Sequence, residues 1–324
     1  MGTVKTRPRS TAPVPPPTPN FTSKRRRSIR WAPYLLVLPA VLLELLIHII
    51  PAVAGVLTSL LQLDARNIRN WLGAPFAGFS NFTFVVNPSN SIGSSLVRSF
   101  GVTLLYAVIV VAVSWFFGFA AALVLQERFR GRGLLRTIFL IPYAVPVYAG
   151  IIVWNFMLQR NNGLINNLIV NDLHLTHNPP FWLLGNGAFV ATAVVAFWRL
   201  WPFAFLMTMA GMQSIPEETY EAAAVDGAGP WKRTYFITLG MLRPVTGVLL
   251  LMMFLWTFND FNTPFVLFGQ SPPTSIDTLP LFIYRNSFIN WNFGLGGAMA
   301  VLMLVFLLLV TGAWLFFERR RQRA

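Results

Sequence analysis

The chain has 324 residues, of which 55% are apolar and only 11% are charged, although its formal net charge is +14. A soluble domain usually carries about 25% charged residues, and a soluble protein this apolar could not bury enough of its surface. A nucleic-acid-binding protein would spread its basic residues over a polar face. The composition therefore predicts an integral membrane protein with its positive charge in the loops, and the absence of cysteine excludes disulfide bonds.

Both ends of the chain differ in composition from the apolar body between them. Residues 1–30 are rich in proline and end in a basic run from Lys24 to Arg30, which predicts a disordered tail directly before the membrane. Residues 318–324 form a second basic tail. The body, residues 31–317, is therefore expected to form the membrane domain.

Six segments of the body are candidates for membrane spans, because a helix needs about 20 residues to cross a hydrocarbon layer of ~30 Å. They run roughly over 33–61, 100–126, 134–158, 187–212, 243–267 and 294–317. The third contains Pro142 and Pro146, which membrane helices tolerate where neighbours satisfy the freed carbonyl groups. We therefore predict an all-α polytopic membrane protein with six transmembrane helices, and only short helices in the loops 60–98 and 159–186.

Lysine and arginine are distributed unequally between the two sets of loops. Of these 25 residues, 19 fall in the two tails and in the loops 127–136 and 213–243, whereas five fall in the opposite loops and Arg199 lies within a span. Because cytoplasmic loops carry the excess of positive charge, both termini and loop 213–243 are predicted to be cytoplasmic. The basic runs are interpreted as topology signals with some contact to membrane lipid, and no nucleic-acid binding is expected.

No catalytic or metal-binding set of residues emerges from the sequence. His174 and His177 share one loop, but only Asp172 stands near them, and zinc sites normally need a fuller ligand set. The sequence contains no glycine-rich phosphate loop of the GxxxxGK[ST] type. The chain is therefore not expected to be an enzyme, and any nucleotide that drives it must bind to another chain.

Loop 213–243 contains the signals of a short helix–turn–helix. Pro216 followed by two glutamates is typical of a helix start, and Gly227 can end that helix in a left-handed conformation. Pro230 can then open a second helix. The side chains expected to be exposed are Tyr220, Ala223 and Trp231. The loop is interpreted either as an ordinary surface loop or as a docking site for a partner.

The same loop resembles the EAA loop of permease subunits of binding-protein-dependent ABC importers. The residues that carry the resemblance are Glu221, Ala222, Ala223, Asp226 and Gly227, followed by Ile237. Both family spacings hold, because three residues separate the triplet from the glycine and nine separate the glycine from the isoleucine. One departure is Gly240, where the family usually has proline, whereas Pro244 agrees with the pattern.

Further segments resemble the carbohydrate-uptake branch of that family, which includes the maltose and glycerol-phosphate permeases. These segments are residues 32–39, 76–82, 129–133, 140–146, 163–166, 201–203 and 258–262. The resemblance therefore covers about residues 31–316, which is nearly everything except the tails.

The resemblance implies a transport subunit of a bacterial cell membrane that forms half of a pore for a sugar or sugar-like solute. The loop around Glu221–Gly227 would be the coupling helix, seated in a groove of an ATPase subunit. The implied partners are a second, different permease, two cytoplasmic ATPase subunits that carry ATP and Mg²⁺, and an extracytoplasmic solute-binding protein. No cofactor is expected on this chain itself.

Ionisable residues inside the spans are candidates for the translocation path, since such groups usually face the bundle interior. Glu44 and His48 share one face of the first span, and Arg199 lies within the fourth. Glu44 and Arg199 are interpreted either as structurally paired or snorkelling side chains, or as part of the path.

The fifth span contains the run Phe258, Asn259, Asp260, Phe261 and Asn262. A sugar offers hydroxyl groups to amides and C–H faces to aromatic rings. If the run is helical, residues 258, 261 and 262 share one face and residue 260 points elsewhere. We therefore expect Asn262 and the two phenylalanines to form a sugar-contacting surface, with helix capping or interhelical hydrogen bonding as the alternative.

The alternative function is a proton-coupled secondary transporter of a small polar solute. In that case Glu44, His48 and Arg199 would form a proton relay. Many such transporters are built from internal repeats, and no repetition is evident among the six predicted spans.

Overall fold

The computed structural model describes Gly2, residues 31–127 and residues 129–321. The predicted disordered tail, apart from Gly2, lies outside the described residues, as do Arg128 and residues 322–324. The regular structure of the described residues is helical, and they contain a single strand-like pairing, the antiparallel bridge between Leu61 and Phe76.

Fifteen α-helices follow one another in the described residues. They are α1 Ala32–Glu44, α2 Ile50–Ser59, α3 Ser80–Val86, α4 Ser91–Gln126, α5 Arg132–Ala144, α6 Val147–Met157, α7 Leu164–Asn167, α8 Gly187–Met212, α9 Glu217–Val225, α10 Pro230–Lys232, α11 Leu239–Met241, α12 Arg243–Phe258, α13 Asn262–Phe268, α14 Leu279–Tyr284 and α15 Phe293–Arg321. Short 3₁₀ segments lie at Ile68–Gly73 and Thr274–Ile276, and π segments lie at Leu45–Ile49, Leu168–Asp172, Arg233–Thr238 and Arg285–Ile289.

The apolar helices confirm the predicted all-α polytopic architecture. Five helical stretches are long and apolar enough to cross a membrane, and the pair α5 and α6 makes a sixth if it counts as one span. The five are Pro33–Ser59, Ser91–Gln126, Gly187–Met212, Arg243–Phe268 and Phe293–Arg320. The chain divides into two compact units, Met1–Pro51 and Ala52–Ala324. As predicted, the helices of the loops 60–98 and 159–186 that lie outside α4 are short.

The third predicted span is not one straight helix. The helices α5 and α6 meet at an angle of 92°. Val145 is extended (φ −71°, ψ 133°) and Pro146 begins the next helix. The cause is local, because a proline ring clashes with a helical conformation of the residue before it.

The fifth predicted span is also interrupted. Helix α12 ends at Phe258, helix α13 begins at Asn262, and the three residues between them are not helical. The expectation that residues 258, 261 and 262 share one face of a continuous helix is therefore wrong. We refer to residues 259–261 as the break in the fifth span.

The main packing contact of the unit Ala52–Ala324 is between α4 and α8. Gly118 of α4 lies so close to α8 that a Cβ atom there would stand 2.6 Å from the Cβ atom of Ala204 and 2.6 Å from the backbone nitrogen of Phe205. Small residues allow membrane helices to approach in this way. The same two helices carry Tyr106 and Arg199, whose side chains both reach Asp260.

We predict that Gly118→Leu lowers the thermal unfolding midpoint of the detergent-purified protein, because overpacking a close helix contact costs about 1–3 kcal/mol. The matched control is Gly101→Leu, on the same helix, where an added side chain meets nothing within 4 Å. Equal unfolding midpoints for the two variants would show that the α4–α8 contact does not limit stability.

Candidate functional site

We call loop 213–243 the hairpin. Its first limb is a helix with a defined end. Helix α9 stops before Gly227, whose φ is +76°. The amide of Ala228 donates to the carbonyl of Ala223 (2.8 Å), and the amide of Gly227 donates to the carbonyl of Ala224 (3.1 Å). This pair of bonds is the Schellman arrangement, which satisfies carbonyls at the end of a helix. The predicted left-handed helix end at Gly227 is confirmed.

The second limb of the hairpin starts at Pro230, as predicted, and leads into the fifth span. Helix α10 is followed by the π segment Arg233–Thr238 and by α11. Gly240, the position where the family pattern has proline, lies inside α11. Helix α12 then begins at Arg243, so the hairpin connects the end of α8 directly to the start of α12.

Tyr220 fixes the two limbs to each other. Its hydroxyl oxygen lies 3.0 Å from Oγ1 of Thr238. Its ring packs on the cluster that contains Met212 and Leu242, at the ends of the two helices that the hairpin connects. Tyr220 is therefore half-buried, and Ala223 is half-buried as well. The prediction that these two side chains are exposed was wrong. The sequence did not reveal that the ring serves as an anchor.

The tip of the hairpin is exposed and partly apolar. Val225 keeps 89% of its surface accessible and Trp231, as predicted, keeps 81%. Among the residues of the EAA pattern, those exposed are Glu221, Ala222, Asp226 and Gly227. A group of large exposed apolar side chains is typical of a surface that another molecule covers.

A cleft of about 850 Å³ separates the hairpin from the end of α4. Arg132, Arg136 and Arg233 line it. Arg136 donates to the carbonyl of Leu125 (2.9 Å), and Arg132 donates to the carbonyl of Gln126 (3.2 Å). These carbonyls belong to the last turn of α4, where positive charge is favourable. Arg132 and Arg136 thus hold the end of α4, in addition to the role in topology that we predict for them.

The break in the fifth span is organised by the buried carboxylate of Asp260. The hydroxyl groups of Tyr106 (2.9 Å) and Thr263 (2.6 Å) both donate to Oδ2, and the backbone amide of Thr263 donates to Oδ1 (3.1 Å). Arg199 Nη2 lies 3.5 Å from Oδ2. The structure therefore brings together residues of α4, α8 and α13, and Arg199 forms the structural pair that was one of its two interpretations.

The other four residues of the run Phe258–Asn262 differ in their surroundings. Phe258 is completely buried in a cluster with Phe254 and Phe306. Asn259 is exposed and donates to the carbonyl of Leu255 (2.8 Å). Asn262 and Phe261 are half-buried. The structure thus separates Phe258 from the two residues with which it was expected to share a surface.

Asn262 has a partner that sequence reasoning missed. The Tyr148 hydroxyl, on α6, donates to Oδ1 of Asn262 (2.9 Å). Tyr106 and Tyr148 are distant from the fifth span in sequence, so no local pattern points to them. The contact of Thr263 does have a signal in the local sequence. Asp260 stands three residues before Thr263 near the start of a helix, and this spacing is typical of an aspartate that caps a backbone amide.

The Glu44 and His48 pair lies within the first compact unit. His48 Nδ1 is 3.1 Å from Glu44 Oε2, which confirms that the two side chains share one face. Glu44 lies directly before the π segment Leu45–Ile49, and His48 lies inside it.

These features define a multi-pass membrane protein whose polar, broken span is connected to an exposed helical hairpin. The chain belongs to the family of binding-protein-dependent transport system inner membrane components, because the model of that family matches residues 116–323. Its relatives agree with this membership over most of the length of the chain.

Two relatives and one solved structure illustrate the similarity. The trehalose/maltose transport system permease protein MalF of Thermococcus litoralis is 32% identical, over 94% of this chain and 99% of the relative. The sulfoquinovosyl glycerol transport system permease protein SmoG of Agrobacterium fabrum is 33% identical, over 89% of this chain and 90% of the relative. A chain of a bacterial alginate ABC transporter, solved with an alginate pentasaccharide-bound periplasmic protein, has the same fold, with a TM-score of 0.75 and 20% identity over 90% of this chain and 94% of that chain.

We predict that Asp260→Ala destabilises the protein, because three donors and a guanidinium group lose their common acceptor, and each unmet buried donor costs about 1–3 kcal/mol. The measurement is the thermal unfolding midpoint in detergent. Asn259→Ala is the matched control, since the Asn259 side chain bonds only within its own helix. An unfolding midpoint of Asp260→Ala equal to that of the control would contradict the role of this carboxylate.

Proposed function

We propose that this chain is one of two pore-forming permease subunits of an ATP-driven importer for a sugar or sugar-like solute. The second permease is a different chain, so that the pore is a heterodimer. Two ATPase subunits on the cytoplasmic side carry the ATP and Mg²⁺, and an extracytoplasmic binding protein delivers the solute. This chain then has no catalytic role and binds no cofactor.

The observation that carries the coupling role is the exposed tip of the hairpin. Glu221, Ala222, Ala223, Asp226 and Gly227 form the surface that seats in a groove of the ATPase. The tip is apolar at Val225 and Trp231, which suits burial by a partner. Tyr220 and Thr238 hold the limbs together, so a force applied to the tip moves both limbs as one body.

The connectivity of the hairpin gives this force a path to the pore. One limb continues from α8, which carries Arg199, and the other leads into α12, which ends at the break. ATP can drive transport only through contacts that differ between two conformations of the system. Closure of the ATPase subunits therefore shifts α8 and α12 at the hairpin end. Arg199 lies on α8, and Asp260 lies in the break directly after α12.

The proposed substrate path runs along the break, with Asn259, Phe261 and Asn262 as the residues that face the solute. Asn262 with Tyr148 offers hydrogen-bonding groups, and the Phe261 ring offers an apolar face, which together suit a sugar. Arg199 and Asp260 pair with each other and act as positioning residues. Phe258 is completely buried and packs in the core beside the path. The sugar class is supported further by the two relatives, which are permease proteins of a trehalose/maltose and of a sulfoquinovosyl glycerol transport system.

The proton-coupled alternative has less support. The family to which the chain belongs comprises components of binding-protein-dependent systems. Arg199 is engaged by Asp260, and Glu44 and His48 pair within their own helical stretch.

We predict that Gly227→Asp abolishes solute uptake while the protein remains inserted, in cells that carry the complete transport system. A side chain at φ +76° costs about 1–2 kcal/mol, so the helix end changes its geometry and no longer fits its groove. The matched control is Gly229→Asp, two residues further on, where φ is −66° and neither position has an atom within 4 Å of an added Cβ.

The two variants are compared at equal amounts in the membrane. Gly229→Asp retains uptake if the left-handed geometry is what matters. Normal uptake by Gly227→Asp at the expression level of the unmodified chain would rule out the assignment of the coupling surface.

A further inference from the structure

Six aromatic rings form a continuous series between the break and the loop before α15. In order, the rings are Phe261, Phe265, Tyr284, Phe288, Phe293 and Trp291. The distances between the centroids of successive rings are 4.8, 5.6, 5.4, 5.7 and 6.1 Å. Phe261 also contacts Tyr284 directly at 5.0 Å. We call this series the aromatic track.

The rings of the track are accessible, in contrast to the rings of the core. Phe258 and Phe282 are neighbours of the track in sequence and are buried. Every ring of the track keeps part of its surface open, and the exposed fraction reaches 59% at Phe288 and 49% at Trp291. A run of rings that only filled the core would not stay open along its whole length.

The two ends of the track have different surroundings. The inner end is Phe261, adjacent to Asn262 and its partner Tyr148. The outer end is Trp291, in the loop before α15, where the amide of Gly294 donates to the carbonyl of Leu63 (2.9 Å). One span separates this loop from the hairpin, so the track begins on the opposite side of the membrane and ends at the break.

Polar groups accompany the track, which distinguishes it from a surface that faces lipid. Asn259 and Asn290 are exposed, and Asn262 and Asn292 are half-buried. The exposed residues further along α15 are apolar instead, among them Leu304, Val305, Leu308 and Leu309. Amides facing hydrocarbon would lose their hydrogen bonds to water.

The backbone beside Tyr284 is held in place by a neighbouring side chain. Arg285, next to Tyr284, donates to the carboxylate of Asp277 (2.6 Å) and to the carbonyl of Gln270 (3.3 Å). Rings held in place lose little conformational entropy when a ligand stacks on them.

We propose that the aromatic track guides a pyranose sugar from the outer surface to the break, by stacking its C–H faces on successive rings while the neighbouring amides bind its hydroxyl groups. This inference rests on the proposed function and adds a route to it. Because neighbouring ring centroids lie only 4.8–6.1 Å apart and each residue of the track stays partly exposed, the sugar can pass from one ring to the next.

The first test compares Tyr284→Leu and Phe288→Leu with the unmodified chain in proteoliposomes that contain the complete transport system, with radiolabelled maltose and trehalose as probes. Leucine keeps the apolar character and removes the ring. The expected result is a severalfold lower uptake rate at saturating sugar, with more ATP hydrolysed per sugar transported. Tyr284→Phe and Phe288→Tyr keep a ring and restore uptake. Phe317→Leu, an exposed ring outside the track, is the matched control and has no effect.

The outcomes separate the two proposals. If the unmodified chain transports neither sugar, the proposed function is contradicted for these probes. If it transports one of them and the leucine variants do so equally well, the track is refuted and the proposed function stands. If the variants that keep a ring fail as the leucine variants do, the residues serve packing or contact with a partner, which also refutes the track.

A second measurement does not depend on uptake by the leucine variants. The chain contains no cysteine, so Phe288→Cys introduces a single thiol. A membrane-impermeant maleimide added outside is expected to label it, and maltose or trehalose with the binding protein to slow the labelling. Phe79→Cys, at an exposed ring of the loop 60–98 on the same side of the membrane but outside the track, is the control whose reactivity the sugar does not change. Two results would overturn the proposal. A thiol at residue 288 that does not react is covered by lipid or by a partner permease. A thiol that reacts but is protected by neither sugar does not lie on the route.

Discussion

A carboxylate buried within an apolar bundle must be paired, since an isolated buried charge costs far more than one hydrogen bond returns. The arrangement around Asp260 satisfies this requirement with groups from three helices, through Tyr106 of α4, Arg199 of α8 and Thr263 of α13. The fifth span is broken at this point, so the carboxylate also accepts a backbone amide that the break leaves free. The break, the close approach of α4 to α8 and the position of Arg199 therefore belong to one arrangement.

The hairpin joins the two helices that lead to this arrangement. It connects α8 to α12, and the contact between Tyr220 and Thr238 joins its limbs beside the ends of those helices. We propose that a displacement of the tip is transmitted to the two helices that lead to Arg199 and to the break. In the function that we propose, the polar groups of the break and the aromatic track provide the route of the solute, and the hairpin provides the connection to the ATPase.

The sequence predicted those features that depend on local chemistry. The apolar segments, the helix end at Gly227 and the second start at Pro230 follow from hydropathy, from the freedom of glycine at positive φ and from the fixed φ of proline. The 92° bend before Pro146 could have been expected from the same chemistry, but a membrane helix can also absorb such a proline. The break at residues 259–261 depends on Tyr106 and Arg199, which lie far away in sequence, and the anchoring of Tyr220 depends on Thr238 and on the ends of α8 and α12. Periodicity within a single segment contains no information about such contacts.

The source of energy tests the coupling between hairpin and pore most directly. Uptake of radiolabelled maltose and trehalose by cells that carry the complete system can be measured under two conditions, with ATP depleted while the proton gradient is maintained, and with the gradient collapsed while ATP is maintained. A chain driven through its hairpin by a separate ATPase stops transporting in the first condition and continues in the second. Undiminished uptake after ATP depletion would contradict the coupling and would favour a proton-driven transporter.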